Sequence, residues 1–137
     1  MSLRSLLLLT SLATGAAAAS LKNCNASSLF SLNSYSLSPA SPSPGQDVVL
    51  NLGYTVPDGL VVSGGETVYQ FTFNFIPLDP TTNPLCQDIP CPLGPGTYAN
   101  ATKSVWPSGI SGSFTSTMRW MDGGDQNYLC LQIAGKV

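Results

Sequence analysis

Histidine is absent from the 137-residue sequence and positive charge is scarce, with five lysines and arginines against seven aspartates and glutamates. Each shortage closes off a class of function. Without histidine the usual serine and cysteine nucleophiles lack their commonest base, and zinc lacks a common ligand. Without a basic stripe there is no electrostatic footprint for nucleic acid and no polybasic patch for an anionic membrane surface. The acids that remain are scattered through turns. Asp122 and Asp125, in Asp122-Gly123-Gly124-Asp125, read as a hairpin turn and not as a catalytic carboxylate pair. The chain therefore reads as non-enzymatic, with no cofactor and no metal. Charge is also missing between Glu66 and Asp79 and between Lys103 and Arg119, so those stretches belong inside or face out through Ser, Thr and Asn.

Met1 to Arg4 supplies a positive start, Leu6 to Leu12 a short apolar run, and Ala16 to Ala19 the small residues that a signal peptidase accepts. Residues 1–19 read as a secretory signal peptide, since the run is far shorter than the roughly 20 residues that cross a bilayer. Residues 20–137 then make one domain with one sizeable core. This route predicts a protein that is secreted or held in an endolysosomal or vacuolar lumen. In an oxidising compartment the four cysteines, Cys24, Cys86, Cys91 and Cys130, are expected to form two disulfides, for which sequence alone allows three pairings. If the near pair Cys86 and Cys91 bond to each other, Cys24 must join Cys130. That loop of about 100 residues stabilises by up to roughly 4 to 5 kcal/mol in the chain-entropy model. Asn25 (with Ser27) and Asn100 (with Thr102) are candidate glycosylation sites on the same route.

Along residues 20–137 the pattern is alternation, broken by Pro and Gly at short intervals, which predicts an all-β chain. Leu29 to Leu37 is the first candidate strand, stopped by Pro39, Pro42, Pro44 and Gly45. Asp47 to Val56 puts Val48, Leu50, Leu52, Tyr54 and Val56 on one face. Thr67 to Ile76 puts Tyr69, Phe71, Phe73 and Phe75 on one face, an aromatic wall. A long Pro-rich loop holding Cys86 and Cys91 follows. In the strand Thr97 to Val105 a glycan on Asn100 would hold that side chain outward, so Ala99 and Ala101 are expected to face in and leave space opposite the wall. Gly112 to Met121 places Phe114, Ser116, Met118 and Trp120 together, and Tyr128 to Ile133 places Leu129, Leu131 and Ile133 together. Six or seven such strands predict an immunoglobulin-like β-sandwich of two antiparallel sheets. A secreted adhesion or receptor-interaction module without a lipid ligand is the alternative reading. Its hallmark Trp between two bonded cysteines is not matched, because Trp106 and Trp120 both follow the Cys86–Cys91 segment.

Ile76-Pro77-Leu78-Asp79-Pro80 leads to Cys86, and Cys91-Pro92-Leu93 is followed by Gly96-Thr97-Tyr98. Lys103 to Pro107 comes next, and Met118-Arg119-Trp120 runs on toward Tyr128-Leu129-Cys130. In this order, from Cys24 to Ile133, the features resemble the MD-2-related lipid-recognition (ML) family. Niemann-Pick type C2 sterol carriers, mite group 2 allergens and fungal phosphatidylglycerol/phosphatidylinositol transfer proteins belong to it. The resemblance implies that the first cysteine bonds the last and that the middle pair closes a loop. A third disulfide that many members carry has no counterpart here, where Pro39 to Pro44 holds no cysteine. It also implies an apolar slot between the sheets, for which Tyr69, Phe71, Phe73, Phe75, Phe114, Met118 and Trp120 are the lining candidates. Trp106-Pro107 matches the aromatic-proline pair at the rim of the tunnel in the sterol carriers, and a half-exposed indole is expected there. The implied ligand is a sterol or a phospholipid acyl chain. A membrane or a receptor protein would be donor or acceptor, and the chain itself a monomer.

Overall fold

The computed structural model describes residues 18–25 and 27–137. The signal-peptide reading thus falls on residues outside the described ones, apart from Ala18 and Ala19. In chain order the elements are β1 (Ser20–Asn23), β2 (Ser31–Ser38), β3 (Asp47–Val56), β4 (Glu66–Phe73), β5 (Ile76–Pro77) and β6 (Thr81–Pro84). A turn of 3-10 helix (Leu85–Gln87) precedes β7 (Gly96–Val105), β8 (Ser113–Met121) and β9 (Asn127–Lys136). They form two antiparallel sheets. The larger runs β1-β9-β8-β4-β5, with β6 also paired to β4, and the smaller runs β2-β3-β7. The all-β, two-sheet sandwich expected from the alternation is the fold observed. Ile76 was expected to end the strand begun at Thr67 but opens β5 after a turn, and β6, four residues long, lies in the stretch expected to be loop, because segments so short carry no readable period.

Register decides what faces the space between the sheets, because residues directly opposite in an antiparallel pair share a face. On the larger sheet Tyr69, Phe71 and Phe73 pair with Met118, Ser116 and Phe114. Those in turn pair with Leu131, Ile133 and Gly135. On the smaller sheet Val48, Leu50, Leu52, Tyr54 and Val56 of β3 are all buried. Opposite them stand Ser104, Thr102, Asn100, Tyr98 and Gly96 of β7. The expectation for β7 is thereby corrected: Ala99 and Ala101 are exposed and Asn100 is turned inward. The sequon did not hold Asn100 outward, since its carboxamide has a better partner inside. Nδ2 of Asn100 donates to the Asp88 carbonyl oxygen (2.8 Å), and its Oδ1 accepts from the Thr102 hydroxyl (3.0 Å).

One end of the sandwich is packed solid. The Phe30 ring lies between Tyr54 (centroids 5.5 Å apart, 7° between planes) and Tyr128 (5.1 Å, 15°), while Trp120 meets Tyr54 edge-on at 5.1 Å. Beside them the clip loop buries Leu85, Ile89 and Leu93. Asp88 of that loop bridges the sheets, because its carboxylate accepts from the Thr67 hydroxyl of β4 (2.6 Å) while its carbonyl accepts from Asn100 of β7. Cysteine pairing follows the resemblance. Cys24 bonds Cys130 (Cα–Cα 5.2 Å), tying the segment after β1 to β9, and Cys86 bonds Cys91 (5.5 Å), closing the clip.

Candidate functional site: a slot at the open end

Toward the other end the sheets part around a cavity of about 360 Å³. Its larger-sheet wall is Tyr69 and Phe71 of β4, Phe114, Ser116 and Met118 of β8, and Leu131 and Ile133 of β9. Its smaller-sheet wall is Leu37 of β2, Val48 and Leu50 of β3, and Thr102 and Ser104 of β7, with Lys103, Val105, Trp106 and Pro107 at the mouth. The apolar side is ordered by ring contacts. Phe71 stacks on Phe114 at 5.4 Å (19°), and Trp106 meets Phe114 edge-on at 4.8 Å (69°). Opposite these rings runs a hydroxyl-bearing strip, Thr102 and Ser104, on the inner side of β7. Burial, helped by the nearby Asp88 carboxylate, pushes the Tyr69 phenol above its ordinary pKa, so this group stays a neutral donor on the slot wall. Among the described residues no three His, Cys, Asp or Glu side chains gather as metal ligands would. The chemistry available in the slot is apolar contact, with hydroxyls along one edge and the exposed Lys103 beside the mouth.

Of the residues singled out from the sequence, Tyr69, Phe71, Phe114, Met118, Trp106 and Pro107 line the slot. Three do not. Trp120 is 1% exposed and belongs to the solid end, edge-on to Tyr54. Phe73 is half-buried and packs against the core beyond Phe71 without lining the cavity. Phe75 is 94% exposed, because the chain leaves β4 at Phe73 and turns at Asn74 and Phe75, which both have positive φ (47° and 68°). Trp106 also departs from expectation, being 4% exposed and not half-exposed. Its backbone is pinned to the preceding turn (N to Gln46 O, 2.8 Å; O from Gly45 N, 3.0 Å), and its indole folds inward over β9. Gly135 makes this fit, since a Cβ there would stand 2.5 Å from the indole ring. The buried Trp106 Nε1 has no acceptor among the described residues.

Among the lining residues missed are Leu37, Thr102 and Ser104. A usable signal existed in β7: Lys103 must face water, which sends Thr102 and Ser104 inward and Ala99 and Ala101 outward, whatever the sequon suggests.

No curated protein matches the chain in sequence. Solved structures resemble it in fold, among them the following two. A Niemann-Pick type C2 protein from Japanese carpenter ant superposes with a TM-score of 0.65 at 13% identity, over 85% of this chain and 98% of that one. Chicken MD-1, crystallised in complex with lipid IVa, superposes with a TM-score of 0.65 at 12% identity, over 86% of this chain and 88% of that one. A family model described as ML domain matches residues 18–137. Together with the two-sheet sandwich, that match makes this chain a member of the MD-2-related lipid-recognition (ML) domain family.

Proposed function

We propose that this protein is a non-enzymatic lipid carrier of the secretory lumen or the extracellular space, holding a sterol or one phospholipid acyl chain in the slot between its sheets. The observation that carries this reading is a core left open at one end only, around about 360 Å³ walled by Phe71, Phe114, Met118 and Ile133. That volume lies in the lower part of the roughly 300 to 1,000 Å³ range of small-molecule sites, suited to one chain or ring system and not to a bulky multi-chain lipid. Burying about 400 Å² of apolar ligand surface at about 25 cal/mol per Å² gives a gross gain of roughly 10 kcal/mol, against ordering costs of several kcal/mol. Micromolar or tighter binding therefore needs no ion pair. Family membership supports lipid binding in such a slot, as does the lipid IVa in the complex of chicken MD-1.

The test is uptake of tritiated sterol and of fluorescent phospholipid by delipidated protein, with Ser116→Leu as the blocking variant. Ser116 faces the slot, so the added carbons occupy ligand space without crowding a filled core. Uptake of at least one class by wild type, lost in a variant that melts normally, is the expected result. A well-folded wild type that takes up neither class overturns the carrier reading.

A further inference from the structure

We infer that the β4–β5 hairpin tip docks on a lipid bilayer of uncharged or zwitterionic surface, presenting Phe75 as its anchor beside the mouth of the slot. The placement beside a ligand exit rests on the carrier reading; the membrane contact itself does not. Asn74 and Phe75 are the two central residues of the turn closed by the Phe73–Ile76 pair, and both are left-handed. Such turns favour Asn followed by Gly, because a side chain at the second position is strained. Here that position holds the large aromatic Phe75, with 94% of its surface exposed.

The tip is also held rigidly. Asn74 N donates to Ser113 O (2.8 Å) and Asn74 Oδ1 accepts from Ser113 N (3.0 Å), so β8 fixes the backbone of the turn that presents Phe75. Ile76 (64% exposed) and Leu78 (50%) continue the apolar surface along β5 and beyond it. Ile110 and Val105 are exposed on either side of the Trp106-Pro107 mouth, and Gly112, two residues past Ile110, lies against the Asn74 carboxamide. Of the large hydrophobic residues exposed among the described ones, only Tyr35 and Val61 lie away from this end.

Shape and charge choose the occupant. A stable protein partner needs roughly 800 Å² of complementary surface on each side, which a narrow convex turn does not offer, whereas a soft headgroup layer yields to a wedge. The cations at this end are Lys103, at the slot mouth, and Lys136 of β9, opposite Ser113, too few for the cluster of about four to eight that an anionic surface attracts.

The experiment is co-sedimentation with large unilamellar phosphatidylcholine vesicles at low and high salt, for wild type and Phe75→Ser. Loading with fluorescent phospholipid from solution and thermal melts run in parallel. Wild type should partition independently of salt, and Phe75→Ser about tenfold less, the order expected for losing one buried Phe side chain. Both proteins should load and melt alike. Phe75→Trp should be quenched by brominated phosphatidylcholine. Equal partition of the two proteins, or an unquenched Trp, overturns the inference. So does a wild type that ignores vesicles but forms a dimer that Phe75→Ser dissociates, for then a second copy covers the tip. A wild type that partitions through Phe75 yet loads no lipid leaves the docking standing and sinks the carrier reading instead.

Discussion

The two ends of the sandwich are built from the same strands and differ in how large a side chain each strand brings inward, with Phe30 and the clip loop adding to the solid end. From the solid end to the open end, β3 presents Tyr54, Leu52, Leu50 and Val48, and β7 presents Tyr98, Asn100, Thr102 and Ser104. In the same direction β9 presents Leu129, Leu131, Ile133 and Gly135, and β8 goes from Trp120 through Met118 to Ser116 before widening again at Phe114. Only β4 grows, from Thr67 to Tyr69, Phe71 and Phe73. Three strands taper, β4 thickens and β8 narrows only as far as Ser116, so the sheets are wedged shut over the Tyr54–Trp120 contact and left apart where an aromatic wall faces hydroxyls. A binding site of this kind needs no insertion or extra domain. A gradient of side-chain volume along an ordinary core is enough.

That contrast is open to attack from either end. The largest effect is expected from Trp120→Ala, which removes a fully buried ring from the solid end and should cost about 3 to 5 kcal/mol in urea unfolding. Phe71→Ala, at the half-buried slot wall, should cost well under half of that while removing most lipid uptake. Equal losses would mean the two ends are packed alike. Next comes Gly135→Ala. Its new Cβ has no room beside the Trp106 indole, and overpacking should cost about 1 to 3 kcal/mol. A displaced indole should also change tryptophan fluorescence and reduce uptake; unchanged fluorescence and uptake would show that the slot mouth is loose. Phe75→Gly should act in the opposite direction. Relief of the left-handed strain exceeds the added chain entropy, for a gain of about 0.5 to 1 kcal/mol, while vesicle partition falls.

The smallest effect is alkaline. Burial pushes the phenols of Tyr54 and Tyr128 at the solid end, and of Tyr69 on the slot wall, above their ordinary value of about 10. Folded phenols then keep protons that unfolded ones release, so stability is complete below about pH 10 and falls as pH rises past it. Urea midpoints at pH 9 and pH 11 check the sign. A midpoint that holds or rises would place these phenols in water.

The sandwich was legible because its long strands alternate cleanly. β3 follows the expected bounds, Asp47–Val56, with every second residue buried. Much of the slot was legible for the same reason, as with Tyr69, Phe71, Phe114 and Met118, whose face follows from period alone. Failures came where one local signal was trusted over another. The Asn100 sequon outweighed the charge on Lys103, which reversed the faces of β7 and hid Thr102 and Ser104. The alternation Phe71, Phe73, Phe75 was followed through a turn, because Asn74-Phe75 lacks the glycine that announces a two-residue hairpin. Trp106 beside a proline looked like a rim residue. The space that admits it is made 29 residues away at Gly135, by a register that only the folded sheet reveals.

The short strands that flank β4 bear on how this protein behaves when crowded. An exposed sheet edge invites another molecule to add a strand, and many proteins deter this with lysines. This sequence holds only five cations, and none lies between Glu66 and Lys103. The outer edge of β4 is instead covered by β5 and β6, with Pro77 in the first, Pro84 in the second and Pro80 between them. A proline has no amide hydrogen to donate. A neighbouring chain approaching that edge meets an interrupted row of donors, and fibril-like growth stops there without any electrostatic repulsion.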